Sequence, residues 1–120
     1  MKASKLRAAL LCLLLPTLAV AQASTEEQLK RAVDMYNGFN IEGARPILLN
    51  IISPNNLLSV SPEQKVKALK YLGASYAVLD RPDSAVYFFT AALDYDPFTD
   101  LDPQEFSAAE LAAFSRAKEQ

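Results

Sequence analysis

Three proline-marked breaks constrain this chain more than any other feature. Ser61-Pro62-Glu63-Gln64 reads as a helix start. Ser caps, Pro suits the first helical position because no N–H is needed there, and Gln can reach back to close a capping box. Asp80-Arg81-Pro82-Asp83 then interrupts the helix, with Pro82 placed to open the next one, and Asp96-Pro97 ends that. Between the breaks, Val66, Leu69, Leu72, Gly73 and Tyr76 recur at helical spacing, followed by Ala85, Phe89, Ala92 and Leu93. Two helices with so short a link are expected to fold back on each other as an antiparallel pair.

The rest of the mature part has the same period and almost no strand signal. Leu29, Ala32, Val33 and Tyr36 line one side of a first helix, with Ser24–Glu27 or Thr25–Gln28 as cap candidates. Gly38 and the Asn37/Asn40 pair mark its end. A second helix, from about Glu42 to Ile52, turns Ala44, Ile47, Leu48, Ile51 and Ile52 inward, and tolerates Pro46 only near its first turn. Ser53-Pro54-Asn55-Asn56 stops it. The third runs from Ser61 to about Leu79. After Asp96-Pro97, Asp102-Pro103-Gln104-Glu105 forms one turn, and Ser107 with Glu110 caps a last helix carrying Leu111 and Phe114. The expected fold class is all-α: about two antiparallel helix hairpins and a C-terminal capping helix, five helices in all.

The stretch from Val66 to Pro97 resembles a tetratricopeptide repeat. Leu69, Leu72-Gly73, Tyr76, Ala85, Phe89, Ala92 and Pro97 stand at the spacings of the 34-residue unit, with Leu69 where Trp is frequent. In such a pair Gly73 and Ala85 are small so that the helices approach closely, and Tyr76 and Phe89 fill the space around the contact. The segment of about residues 26–52 resembles a degenerate copy, with Leu29, Ala32, Val33 and Tyr36 matching the first helix and Ala44, Leu48 and Ile51 the second. By that alignment its turn is one residue short, its link to Ser61 is longer than the family's, and no Pro closes it. Residues 101–120 resemble the closing segment of exported bacterial proteins that carry such repeats.

The chain begins with an address. Lys2, Lys5 and Arg7 precede the uncharged run Ala8 to Val20, and Ala19-Val20-Ala21 and Ala21-Gln22-Ala23 follow. That order of positive, apolar and A-x-A is expected of a secretory signal peptide over residues 1–23, cut after Ala23 or Ala21. A spanning helix needs about 20 apolar residues, and this run is shorter and contains Pro16. If the leader stays on, the alternative is a membrane-anchored structural subunit. Cys12, the single cysteine, lies inside the apolar run rather than directly after a cleavage point, which speaks against a lipoprotein. Cleavage removes three cations and no anion, so the net charge falls from −2 to −5. The expected location is periplasmic or extracellular, with no membrane contact after cleavage.

Composition excludes much chemistry. The chain has no His, the commonest general base and metal ligand, and the mature part has no Cys. Ser115-Arg116-Ala117-Lys118 has the S-x-x-K spacing of penicillin-recognising enzymes, but no S-D-N or K-T-G accompanies it. Asp94, Asp96, Asp100 and Asp102 cluster without the order of a calcium loop, and read as stop and cap residues. An acidic chain lacks the footprint of a nucleic-acid binder. Tyr71, Tyr76, Tyr87, Phe88, Phe89, Tyr95, Phe98, Phe106 and Phe114 are assigned to packing, with Tyr87 or Phe88 held back as a seat for the last helix or a partner. No catalytic residue, metal or cofactor is expected.

What remains is a surface. Helical-repeat arrays bind chiefly on the concave side formed by the first helix of each pair. Carried onto this chain, the resemblance implies that Lys30, Arg31, Asp34 and Asn37 share that face with Lys67, Lys70, Tyr71, Ala74 and Val78. The partner-binding set is Lys30, Arg31, Lys67, Lys70 and Tyr71, a groove for an acidic peptide or chain end with Tyr71 as apolar anchor. Carboxylate-clamp members of the family use Lys and Asn in a set order, and Asp34 stands where Asn is wanted, so that specificity is not implied. The expected function is non-enzymatic protein–protein contact, as an adaptor or assembly factor of the bacterial cell envelope. Its partner is a protein or peptide, and self-association is the simplest case. A small-ligand carrier remains the alternative.

Overall fold

The computed structural model of the chain describes residues 24–56 and 59–120. The expected leader, with Cys12, lies outside them. The described residues form five helices and no strand: α1 (24–37), α2 (Ile41–Ile51), α3 (Pro62–Val78), α4 (Pro82–Tyr95) and α5 (Ala108–Lys118), with one 3₁₀ turn at Pro54–Asn56. The fold is all-α, as the spacing predicts. The sharpest boundaries fall where the side chains dictate them. Ser61 and Ser107 each accept the backbone N–H three residues on, and Gln64 and Glu110 each accept the N–H of their own cap residue. Both capping boxes are closed.

The first helix is held by tertiary bonds near its first described residues. Residue 24 is already helical, so Ser24 is not the cap. Thr25 is buried and donates its hydroxyl to the Ser59 carbonyl, 3.0 Å away. The first described turn of α1 is thereby tied to the link before α3. Gln64 adds a second tie, its amide donating to Glu26 at 3.1 Å. In α2 the cap is Asn40, whose side chain accepts from Gly43 N–H. Pro46 therefore sits at the sixth helical position, past the first turn. It is exposed there, and having no N–H it leaves the Glu42 carbonyl without its helical partner.

The two hairpin turns are the same length, which corrects the reading of the first as one residue short. Residues 38–40 and 79–81 each hold three non-helical positions, and the middle one is left-handed in both: Phe39 at φ 65° and Asp80 at φ 59°. Asn40 N–H returns to the Met35 carbonyl and Arg81 N–H to the Tyr76 carbonyl, the six-to-one bond of a Schellman ending. Turn register therefore pairs Met35 with Tyr76, and Ala32 with Gly73. Ala32, fully buried, is the small residue of the first pair; Val33 is only half-buried. The one-residue deficit lay in the choice of matching positions within α1. Gly38 does not supply the left-handed conformation either. Phe39 takes it at a cost on the order of 1–2 kcal/mol for an L-residue.

Hydrophobic burial holds the layers together. The core joins Leu29, Ala32, Tyr36, Ala44 and Leu48 of the first hairpin to Leu72, Ala85 and Phe89 of the second and Ala113, Phe114 and Ala117 of α5. Phe89 has no exposed surface, and its ring meets Phe114 edge-on at 5.3 Å. Gly73 makes room for that ring: a Cβ placed on it would lie 2.6–2.8 Å from three Phe89 carbons. The atoms nearest to Gly73 across the hairpin are those of the Phe89 ring, and Ala85 is fully buried beside them in the core. Tyr76 joins the same two helices by a different contact. It stacks flat on Phe88 at 5.2 Å, beneath the Arg45 guanidinium of α2. No described helix is long and apolar enough to cross a membrane.

The last helix covers the second hairpin, packing on both α4 and α3. At its start, Glu110 is buried, with 3% of its surface exposed. Its Oε1 accepts from the Ser107 N–H and hydroxyl, and its Oε2 accepts from the Tyr36 hydroxyl of α1. One carboxyl thus closes the α5 cap and binds α5 to the first hairpin. Burial pushes it above the usual carboxylate range, opposed by the Ser107 N–H.

Candidate binding groove

A groove of about 500 Å³ runs between the first half of α3 and the segment that follows α4. Helical spacing places Lys67, Lys70 and Tyr71 on one side of α3, and all three line this groove. The opposite wall is Tyr95, at the end of α4, with Asp96 and Asp100 beyond it. Asp96-Pro97 sets that wall, because Pro97 cannot continue the helix and the Asp96 carboxylate accepts the Phe98 N–H at 3.0 Å.

Each groove side chain has a definite environment. Lys67 is exposed. Lys70 is half-buried, with Nζ 5.6 Å from the centre of the Phe106 ring. Neither lysine forms an ion pair among the described residues. Tyr71 is half-buried, held edge-on against Tyr36 at 5.3 Å and tilted against Phe106 at 5.7 Å. Its ring is part of the packing, so it offers a partner an edge rather than a free anchor. Burial and the nearby Glu105 carboxylate push its hydroxyl above the usual tyrosine value, so it stays a neutral phenol with a proton to donate. The acids present are only partly engaged. Asp100 lies 3.8 Å from Lys118, and Glu63 sits at the α3 start. Two lysines and three carboxylates therefore line the groove, and its field is mixed rather than uniformly positive.

The structure divides the expected concave face. Lys67, Lys70 and Tyr71 come together. Lys30, Arg31 and Asp34 are exposed on α1 and do not border this groove. Ala74 is fully buried and presents no surface. Asn37 and Val78 belong instead to a second cleft, at the turn end of the hairpins. The tail explains the division: Phe106 packs on both Tyr36 and Tyr71, and so occupies the ground between α1 and α3.

Two of the aromatics assigned to packing are on the surface, Tyr95 (54% exposed) and Phe98 (93% exposed), and so is Tyr87, one of the pair held back from packing. Tyr95 carries the Lys65 ammonium 4.6 Å from its ring centre and is the aromatic of this groove that spacing assigned to the core. Neither Tyr87 nor Phe88 seats the last helix. Phe88 goes to Tyr76, and Phe114 makes the α5 contact. Three of the four aspartates do local work, Asp96, Asp100 and Asp102 accepting backbone N–H groups one or two residues on. Among the described residues no three acidic, His or Cys side chains converge as a metal site would require. Arg116 and Lys118 of the S-x-x-K segment are exposed and reach Asp83 and Asp100. Phe39, which spacing did not single out, is exposed to almost the same degree as Phe98. An aromatic between Gly38 and Asn40 in a turn of small polar residues is the signal that marks it.

Comparison with protein-family models, with curated proteins and with solved structures finds no match for this chain.

Proposed function

We propose that this chain is an exported, non-enzymatic helical scaffold of tetratricopeptide type that holds a peptide or protein partner in the α3 groove. One observation carries the reading: Lys67, Lys70 and Tyr71 line a single groove with the half-exposed Tyr95 opposite, and neither lysine has an ion-pair partner among the described residues. Lysines with apolar stems and charged heads beside aromatic rings suit a segment that ends in a carboxylate next to an apolar side chain. The three acids around the groove limit its appeal to a highly acidic partner and favour a short acidic end. Export rests on the charged, apolar and small-residue order of residues 1–23. The location that follows is the envelope or beyond, where an adaptor or assembly factor acts.

The test is fluorescence polarisation with a labelled peptide ending in two glutamates and a leucine. Lys67→Glu with Lys70→Glu is expected to weaken binding at least tenfold at low salt, leaving the far-UV helical signal unchanged. Binding indifferent to both changes removes the groove. Intact-mass measurement of the exported chain is expected to show a start at residue 22 or 24, and a start at Met1 removes the export reading.

A further inference from the structure

The turn end of the hairpins carries a second surface of opposite character. There the 38–40 turn, the end of α3 and the start of α5 enclose a cleft of about 480 Å³. Tyr36 and Glu110 lie in its lining, and both are buried. Phe39 and Val78 form its apolar rim, 91% and 45% exposed. Glu105, exposed, stands on the α5 side, and no lysine or arginine lines the cleft.

Phe39 is the informative residue. Its backbone is left-handed, a conformation that glycine or asparagine takes more cheaply, and a bulky residue there is an outlier. Gly38 stands one position earlier, at a φ that any residue adopts. The turn itself therefore has no use for an aromatic at 39, and the equivalent position of the other hairpin is the polar Asp80. The ring also gains nothing from burial. A strained backbone that holds a large apolar side chain in water, on the rim of a cleft, is the pattern expected where something else covers it.

We propose that this cleft docks a protein segment carrying a lysine or arginine beside an apolar side chain. The argument for that occupant is charge. Glu105 is the exposed charge of the lining and no cation there balances it, so an acidic segment is repelled. A basic side chain can instead lay its alkyl stem and cation along the Phe39 face while its head reaches Glu105. An apolar neighbour in the segment meets Val78. This surface and the α3 groove prefer ends of opposite charge, which suits a chain that joins two partners.

The experiment uses the full chain and a labelled hexapeptide alternating leucine and lysine, with a leucine–glutamate hexapeptide beside it. The basic peptide is expected to bind, and the acidic one to bind at least tenfold more weakly at this cleft. Phe39→Gly and Phe39→Asn should each cut binding at least tenfold while raising the melting temperature, because the strain goes and no packing is lost. Glu105→Gln should cut binding severalfold at low salt and little at high salt. Lys67→Glu should not reduce it, which separates this cleft from the α3 groove. Equal binding by Phe39→Gly or Phe39→Asn, or a lower melting temperature in both, overturns the proposal. So does a dimer in sedimentation that Phe39→Gly converts to monomer, since the cleft would then be covered by a second copy.

Discussion

Replacing Gly73 by alanine tests the packing on which both surfaces depend. Helix propensity alone favours alanine in a helix interior by about 1 kcal/mol. The structure reverses the sign. The new Cβ would stand 2.6–2.8 Å from three carbons of the Phe89 ring, where ordinary contact begins near 3.4 Å. That ring must retreat by more than half an ångström, and it is fully buried and backed by Phe114. Overpacking of a tight core costs about 1–3 kcal/mol. Three ring atoms met at once place this site at the upper part of that range, for a net loss of about 1–2 kcal/mol after the propensity gain. For a domain of this size each kcal/mol is worth about 4–8 °C in Tm. Thermal melts followed by circular dichroism read this directly. The control is Gly38→Ala, where the added Cβ finds only ordinary contacts of 3.4 and 3.6 Å and the backbone is not left-handed. That change should stabilise by about 0.4–1 kcal/mol. Phe89→Leu should relieve the clash, so the double variant with Gly73→Ala should lose less than the two single losses added together. A Gly73→Ala protein that melts higher than the parent, as the Gly38 variant should, refutes the assigned crossing.

Two further changes probe α3 and α5 separately. Ser61→Ala removes the closed capping box of α3 and is expected to cost about 1 kcal/mol, read as a lower midpoint in urea with an unchanged slope. Glu110 makes stability depend on pH. Its folded-state value lies above the ordinary 4.5, so its contribution is fully present below pH 4.5 and is lost as pH rises through the folded value. Against Glu110→Gln, which cannot ionise, the parent should therefore gain in relative Tm on acidification toward pH 4.5; a difference that is constant over that window refutes the assignment.

Local chemistry determined a great deal here. Ser61, Pro62 and Gln64 specify the start of α3 by bonds within four residues, and Ser107 with Glu110 does the same for α5. Such signals survive in any context, so they are legible without a fold. Helical spacing likewise marks Leu29, Leu48, Leu72, Ala85 and Phe114 as core, because burial follows one face of a helix.

What spacing cannot supply is which helix meets which, and there the tertiary structure decided. The left-handed residues of the two turns are Phe39 and Asp80, and the equal bonds that close those turns set Ala32, not Val33, opposite Gly73 in register. Phe106 comes across from the tail to cover Tyr36 and Tyr71, which splits the expected concave face into two sites. Glu110 looked like a cap and is also the bond that joins α5 to α1. Tyr95 and Phe98 share the composition of core residues, yet Asp96-Pro97 ends the helix and leaves them outside. Periodicity records the face a residue occupies on its own helix. Whether that face is covered depends on contacts between residues far apart in the chain, and those exist only once the helices have packed.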